Sequence, residues 1–301
     1  MNTARFDDSI YQSDPRPIGV FDSGIGGLTV LREIWKVLPN ENTIYFGDNG
    51  RTPYGTKSHE TIMKFSLQNM RFLLSQDVKM IVIACGSSSA HAYNAVRAQA
   101  NVPVVEVISP GAEQAIQTTK TGRIGIIATR ATVNSGMYKA ALEEEAGRLL
   151  QSGQKIESLS SLYVEQVACP LFVSLAEEGW WDSPITRLAA EEYLKDLKKN
   201  RIDTLILGCT HYPLLSRTIG EVMGDGTTLI NAGASVAQRV KDVLDSYKLS
   251  NVQEKEPYRH FYTSDDPLMF EDLAALFLDG WRPSGTERVM TEEFTEEEPH
   301  T

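Results

Sequence analysis

Two cysteines stand at matching places in this sequence. The run IVIAC ends on Cys85 and the run LILGC ends on Cys209, each a short apolar, strand-type segment with a small residue just before the thiol. A pair of strand-tip thiols can move protons. A thiolate on one side of a carbon removes a proton, and a thiol on the other side delivers one, each within about 3–3.5 Å of the reacting atom. Each thiol then needs a neighbour to bring it to its working protonation state. Asp22, at the end of GVFD, and His211, two residues beyond Cys209 in LILGCTHYPLL, are the candidates for that role. A zinc ligand pair or a buried thiol would also account for Cys209 and His211. A metal, however, needs further Cys or His close by, and the five histidines are mostly scattered. The third cysteine, Cys169 in VACPLFVSLAEEG, lies in an apolar stretch and reads as core packing. Glu177 and Glu178 follow it, and either could face a cleft.

The loops near these residues are rich in donors. GVFDSGIGGLTV places Asp22 and Ser23 in a glycine-dense turn that leads into a helix, where backbone N–H groups can approach an anion. Gly24, Gly26 and Gly27 do not have the G-x-G-x-x-G spacing and no Walker lysine follows, which argues against a nucleotide loop. FGDNGRTPYGTKS is a second such loop; Tyr54 and Gly55 could offer a hydroxyl and backbone donors to a carboxylate, although turn formation alone accounts for most of its residues.

Short apolar runs alternate with amphipathic segments and position these loops. Strands are predicted at 17–21, 42–46, 80–84, 104–108, 123–128 and 204–207, and helices over 27–38, 59–76, 89–100, 135–150 and 185–200. The alternation indicates an α/β fold of mainly parallel sheets flanked by helices, in which ligands bind at the carboxyl ends of strands. Cys85 and Cys209 both fall there. The short likeness of IVIAC to LILGC suggests two similar lobes facing one cleft.

The chain has 301 residues, 42% of them apolar, enough for two domains that each bury a core. A net charge of -11 argues against general affinity for nucleic acid or anionic membranes. No apolar run reaches the ~20 residues of a membrane span. The first residues lack the apolar core of a secretory signal, and three cysteines cannot form a disulfide framework, so a reducing cytoplasm is expected. Residues 1–16 read as a loose arm. The end, TEEFTEEEPHT, with five glutamates between Glu292 and Glu298, reads as a solvated acidic tail.

With these residues in view, the sequence resembles the glutamate racemases of the aspartate/glutamate racemase family. GVFDSGIGGLTVL, YFGDNGRTPYG, IGIIATRATVNSGMY, ACPLFVSLAEEG and LILGCTHYPLL look like that family's motifs, in its order, and FYTSDDPLMFEDLAALFL resembles its C-terminal segment. The resemblance covers roughly residues 17–281. It implies two pseudo-symmetric α/β domains, 17–110 plus 220–285 and an inserted 111–219, with the site between them and 286–301 as a tail. It implies interconversion of L- and D-glutamate for bacterial cell walls, without cofactor or metal, with glutamate as the small-molecule partner and room for a homodimer. Cys85 and Cys209 would be the paired acid and base, and Asp22, His211 and Glu177, rather than Glu178, the assisting groups. Asp22, Ser23, Tyr54, Gly55, Gly86, Ser87, Thr210 and His211 would surround the substrate, with Thr132 as a further contact.

One motif departs from the resemblance. The family reads Cys-Asn-Thr where this chain has Cys85-Gly86-Ser87. Ser87 keeps a hydroxyl, while Gly86 loses an amide whose bond to a charged group would be worth roughly 1.5–3 kcal/mol. On that reading, Gly86→Asn should raise the rate or lower KM. The departure also leaves open a relative acting on another α-amino or dicarboxylic acid such as aspartate, or a non-catalytic glutamate binder.

Overall fold

The computed structural model describes residues 13–152, 157–252 and 255–295. Ten strands, β1 (Ile18–Asp22), β2 (Thr43–Gly47), β3 (Met80–Ile83), β4 (Val104–Glu106), β5 (Arg123–Ala128), β6 (Tyr163–Ala168), β7 (Thr204–Leu207), β8 (Thr228–Asn231), β9 (Arg259–Thr263) and β10 (Glu287–Arg288), form two sheets. The first has the order β10-β9-β2-β1-β3-β4 and the second β6-β5-β7-β8. Every pairing is parallel. The central strands read as unbroken apolar runs because both faces are covered, and β1, β2, β3 and β7 are buried at every position.

Helices α1 (Leu28–Val37), α2 (His59–Ser75), α3 (Gly86–Gln99), α4 (Ile108–Thr118), α5 (Arg130–Ser135), α6 (Met137–Gln151), α7 (Leu171–Glu177), α8 (Pro184–Lys199), α9 (Ser216–Met223), α10 (Ala232–Tyr247) and α11 (Pro267–Phe277) connect the strands. Most predicted elements lie within three residues of the observed ones. The strand predicted at 104–108 stops at Glu106, whose carboxylate accepts from the Ile108 and Ser109 N–H groups and starts α4 instead.

The lobes do not have fully separate cores. One apolar cluster joins Ile18, Val20 and Val82 of the first sheet to Ile124, Ile126 and Ile206 of the second, through α1, α4, α6 and α10. Two smaller clusters cover the outer faces, Phe21, Phe46 and Phe72 on the first sheet and Phe172, Leu194 and Leu205 on the second. The boundaries expected at 110/111 and 219/220 fall elsewhere in this arrangement. The first lies inside α4, which packs on both α6 and α10. The second precedes β8, which pairs with β7 and so belongs to the second sheet.

The described residues nearest each terminus are tied down further than their composition suggests. Lys79, fully buried, donates to the carbonyls of Asp14 and Leu249 and pairs with Glu41 at 2.6 Å, fastening residues 14–16 beneath the first sheet. At the other end β10 pairs with β9, and the Phe294 ring packs on Phe72. The solvated tail expected from residue 286 is therefore docked as far as Phe294; residues 296–301 and residues 1–12 lie outside the described residues. No helix among the described residues is long and apolar enough to cross a membrane.

Candidate active site

The carboxyl ends of the two sheets face each other across a small, closely packed cavity of about 30 Å³. Cys85 lines it from the first sheet and Cys209 from the second, joined by Ser23, Gly86, Ser87, Thr132 and His211. No Lys or Arg is among its lining residues, so a carboxylate here would meet neutral donors, the N-terminus of α3 and the His211 ring.

On the first lobe, β3 ends and Cys85 caps α3, its sulfur accepting from Ser88 N–H at 3.5 Å. Ser23 Oγ lies 3.5 Å from the same sulfur. Burial, and then the negative charge of Asp22, push the Cys85 thiol up to about 11 against the opposing effect of Ser23 and Ser88. Cys85 is therefore a thiol at neutral pH. Asp22 is wholly buried at the tip of β1 and accepts from Gly24 N–H at 2.9 Å. Burial raises its carboxyl above the ordinary range, against the opposing pull of His211 and of the Gly24 and Gly27 N–H groups.

The second lobe has a different arrangement. His211 Nδ1 lies 3.8 Å from Cys209 Sγ, and the ring's Nε2 meets Glu177 Oε1 at 2.9 Å. Burial alone would discharge this ring; hydrogen bonds to Cys209 and Glu177, with the charges of both, outweigh it and raise the imidazole to about 10. A positive ring thus faces the sulfur, held by a carboxylate behind it, and can hand its Nδ1 proton to Cys209 and, once neutral, take it back. The choice between two glutamates is visible in the geometry: Glu177, the last residue of α7, reaches His211, whereas Glu178 is exposed.

Contacts across the cleft bring most of the other expected residues together. Ser87 and Thr129 share a hydrogen bond at 3.0 Å, and Thr129 Oγ1 meets Thr132 Oγ1 at 3.0 Å, a chain of hydroxyls from one lobe to the other. Thr210 Oγ1 lies 3.5 Å from Asp22 Oδ2 and from His211 Nδ1, and its carbonyl accepts from Thr29. Gly55 lines the cavity.

Two expectations need correction. The Tyr54 hydroxyl is not free for a carboxylate: it donates to Asp48 and accepts from Asn69 at 3.2 Å, so this loop gives the cavity backbone and ring surface. Asp48 also holds Arg51 through both carboxylate oxygens and accepts from Ser264 at 2.7 Å. Arg51 lies 4.0 Å above the Phe65 ring. Second, an asparagine at position 86 has no room as the molecule stands, because its Cβ would come 2.7 Å from the Gly208 carbonyl oxygen. Cys169 is buried in the second lobe's outer cluster, its sulfur 3.7 Å from the Val167 carbonyl.

Thr129, Asp48 and Arg51 were not identified from sequence. Asp48 stands one residue past β2, much as Asp22 ends β1, and that parallel was the available signal. Among the described residues no group of three or more His, Cys, Asp or Glu is placed to hold a metal ion.

Known proteins resemble this chain over most of its length. A family model described as Asp/Glu/Hydantoin racemase matches residues 18–240. A glutamate racemase of Geobacter metallireducens is 43% identical over 265 residues, 88% of this chain and 93% of that protein. One from Neisseria meningitidis serogroup A is 46% identical over 264 residues, 87% and 93% of the two chains. The crystal structure of glutamate racemase from Francisella tularensis in complex with D-glutamate superposes with a TM-score of 0.82 at 38% identity, covering 93% of this chain and 99% of that one. With its fold, its matched span and these relatives in agreement, the chain belongs to the Asp/Glu/hydantoin racemase family.

Proposed function

We propose that the protein interconverts L- and D-glutamate by moving the Cα proton between Cys85 and Cys209, without a cofactor, and that the D-glutamate goes to peptidoglycan synthesis in the cytoplasm. The observation that carries this reading is that two thiols, one from each lobe, line the same cavity. Glutamate racemases as relatives support the choice of substrate.

In one direction Cys209, as thiolate beside the positive His211 ring, takes the proton from Cα, and the C–H electron pair stays on carbon. The Cys85 S–H then gives its proton to the opposite face. This leaves Cys85 as thiolate and Cys209 as thiol, and the reverse reaction restores them. Neutral donors around the cavity and the N-terminus of α3 stabilise the charge that develops on the substrate carboxylate as the proton leaves. Glu177 holds the ring in place and keeps it charged, a positioning role like that of the carboxylate in a Ser-His-Asp triad.

Proton NMR of each glutamate enantiomer in D₂O with the purified protein tests this. Loss of the Cα–H signal from both, with optical rotation decaying to zero, is the expected result. Persistence of both signals would reject glutamate as substrate and make aspartate the next compound to try.

A further inference from the structure

Gly86 sits at the first position of α3, next to Cys85, and Gly208 sits next to Cys209. A Cβ on Gly86 would meet the Gly208 carbonyl oxygen at 2.7 Å and Thr132 Oγ1 at 3.5 Å. The nearer of these is backbone, which cannot rotate aside as a side chain can. The chain segments carrying the two thiols therefore approach so closely at this point that a Cβ on residue 86 would require the Gly208 backbone to shift. The neighbouring contacts differ in kind. A Cβ on Gly26 would strike the Thr210 and His211 side chains, and one on Gly55 the side chain of Thr129 at 2.7 Å.

We infer that Gly86 is a positioning residue: its bare backbone sets how far the two lobes close and hence how near Cys85 and Cys209 come to a shared carbon. The inference rests on the two-thiol reaction proposed above. A methyl group at position 86 must push Gly208, and Cys209 with it, away from the tip of β3. Proton transfer is steep in distance, and a misplacement of about 1 Å costs on the order of 100-fold in rate. Substrate binding relies on donors spread over several loops and should suffer less.

The test is Gly86→Ala, with Gly147→Ala as control, since a Cβ on Gly147 meets nothing within 4 Å. Two readouts are needed: kcat and KM for Cα–H exchange with both enantiomers, and the rates at which iodoacetamide labels Cys85 and Cys209, followed by mass spectrometry. Gly86→Ala should fold, lose about 10-fold or more in kcat with KM changed less than about 3-fold, and be labelled faster at both thiols. Gly147→Ala should match the unmodified protein in both. Unchanged or higher kcat in Gly86→Ala would overturn the inference. So would a fall in kcat with unaltered labelling, because the methyl would then act without opening the cleft. Failure of Gly86→Ala to fold would overturn it as well, since lobes that can part would accommodate the methyl. If the unmodified protein exchanges neither enantiomer, the functional reading fails by itself, and the labelling comparison alone decides whether Gly86 sets the closure.

Discussion

The two strand tips that carry the thiols start from the same pattern, an apolar run and a small residue before cysteine, and end in different surroundings. Cys85 caps a helix beside a buried carboxylate and is held as a thiol. Cys209 has no such helix; it faces an imidazole backed by Glu177. The difference shows that near-symmetry of fold need not mean symmetry of chemistry. A racemase must treat mirror-image substrates even-handedly, yet its two tips need not be built alike, provided each has its own means of changing state.

The most disruptive way to test the comparison is to remove a thiol. Cys85→Ala and Cys209→Ala should each lower racemisation by at least about 1,000-fold, read by optical rotation, because neither tip can do both halves of the reaction. A rate near that of the unmodified protein in either variant would mean that the two tips are not partners.

Glu177→Gln sharpens the contrast, since the side chain's direct contact is with His211 of the second tip. A loss of about 10- to 100-fold in kcat with little change in KM is expected, by analogy with outer-shell carboxylates on histidine, while Glu178→Gln should be neutral. The pH profile provides a further check. The His211 ring, raised to about 10, stays charged through neutrality and loses its proton above that, so activity should fall on an alkaline limb near pH 10. Glu177→Gln should move that limb to lower pH. The same shift affects stability. Folding raises this pKa above its ordinary 6.5, so the stabilisation is complete below about 6.5 and is lost as pH rises toward 10; chemical denaturation across that range would show it.

Smaller effects separate the hydroxyl bridge from the core. Ser87→Ala removes one side of the bond to Thr129 and should cost about 2- to 12-fold in kcat/KM, the value of roughly 0.5–1.5 kcal/mol for one hydrogen bond. Cys169→Ala should leave kcat unchanged and cost on the order of 1 kcal/mol of stability, measured by urea unfolding.

How much of this was legible in the sequence depended on whether a feature had a local signature. The strands over 123–128 and 204–207 matched residue for residue because each is a buried run bounded by turn residues. Strand β8 did not register: it has four residues, only one of them buried, and little apolar signal. The thiols, Asp22 and His211 were visible because strand-tip residues of that chemistry are rare. Thr129 was not, since its bond to Ser87 joins positions 42 apart through packing that no periodicity records. The Tyr54 hydroxyl was offered to a ligand carboxylate for a related reason: its partner Asp48 is six residues away in a loop whose path only the folded chain defines. The space around Gly86 belongs to the same class, since a close backbone approach between lobes leaves no trace in composition.

The strand order of the first sheet also bears on how the protein is made. β2 is buried on both faces and is flanked by β1 on one side and β9 on the other. The ribosome produces β9 more than 200 residues after β2, a wait of roughly 10–40 s at about 5–20 residues per second. Through that interval a nascent chain carries an apolar strand with one unpaired hydrogen-bonding edge, the feature most prone to pair with the wrong chain. All four strands of the second sheet, by contrast, come from one uninterrupted stretch, 123–231, and can pair as soon as that stretch emerges. Ribosome-stalled chains that end before residue 259 should thus resist protease in the second lobe and be cut in the first. Synthesis would then complete the lobes in the reverse of their order along the chain.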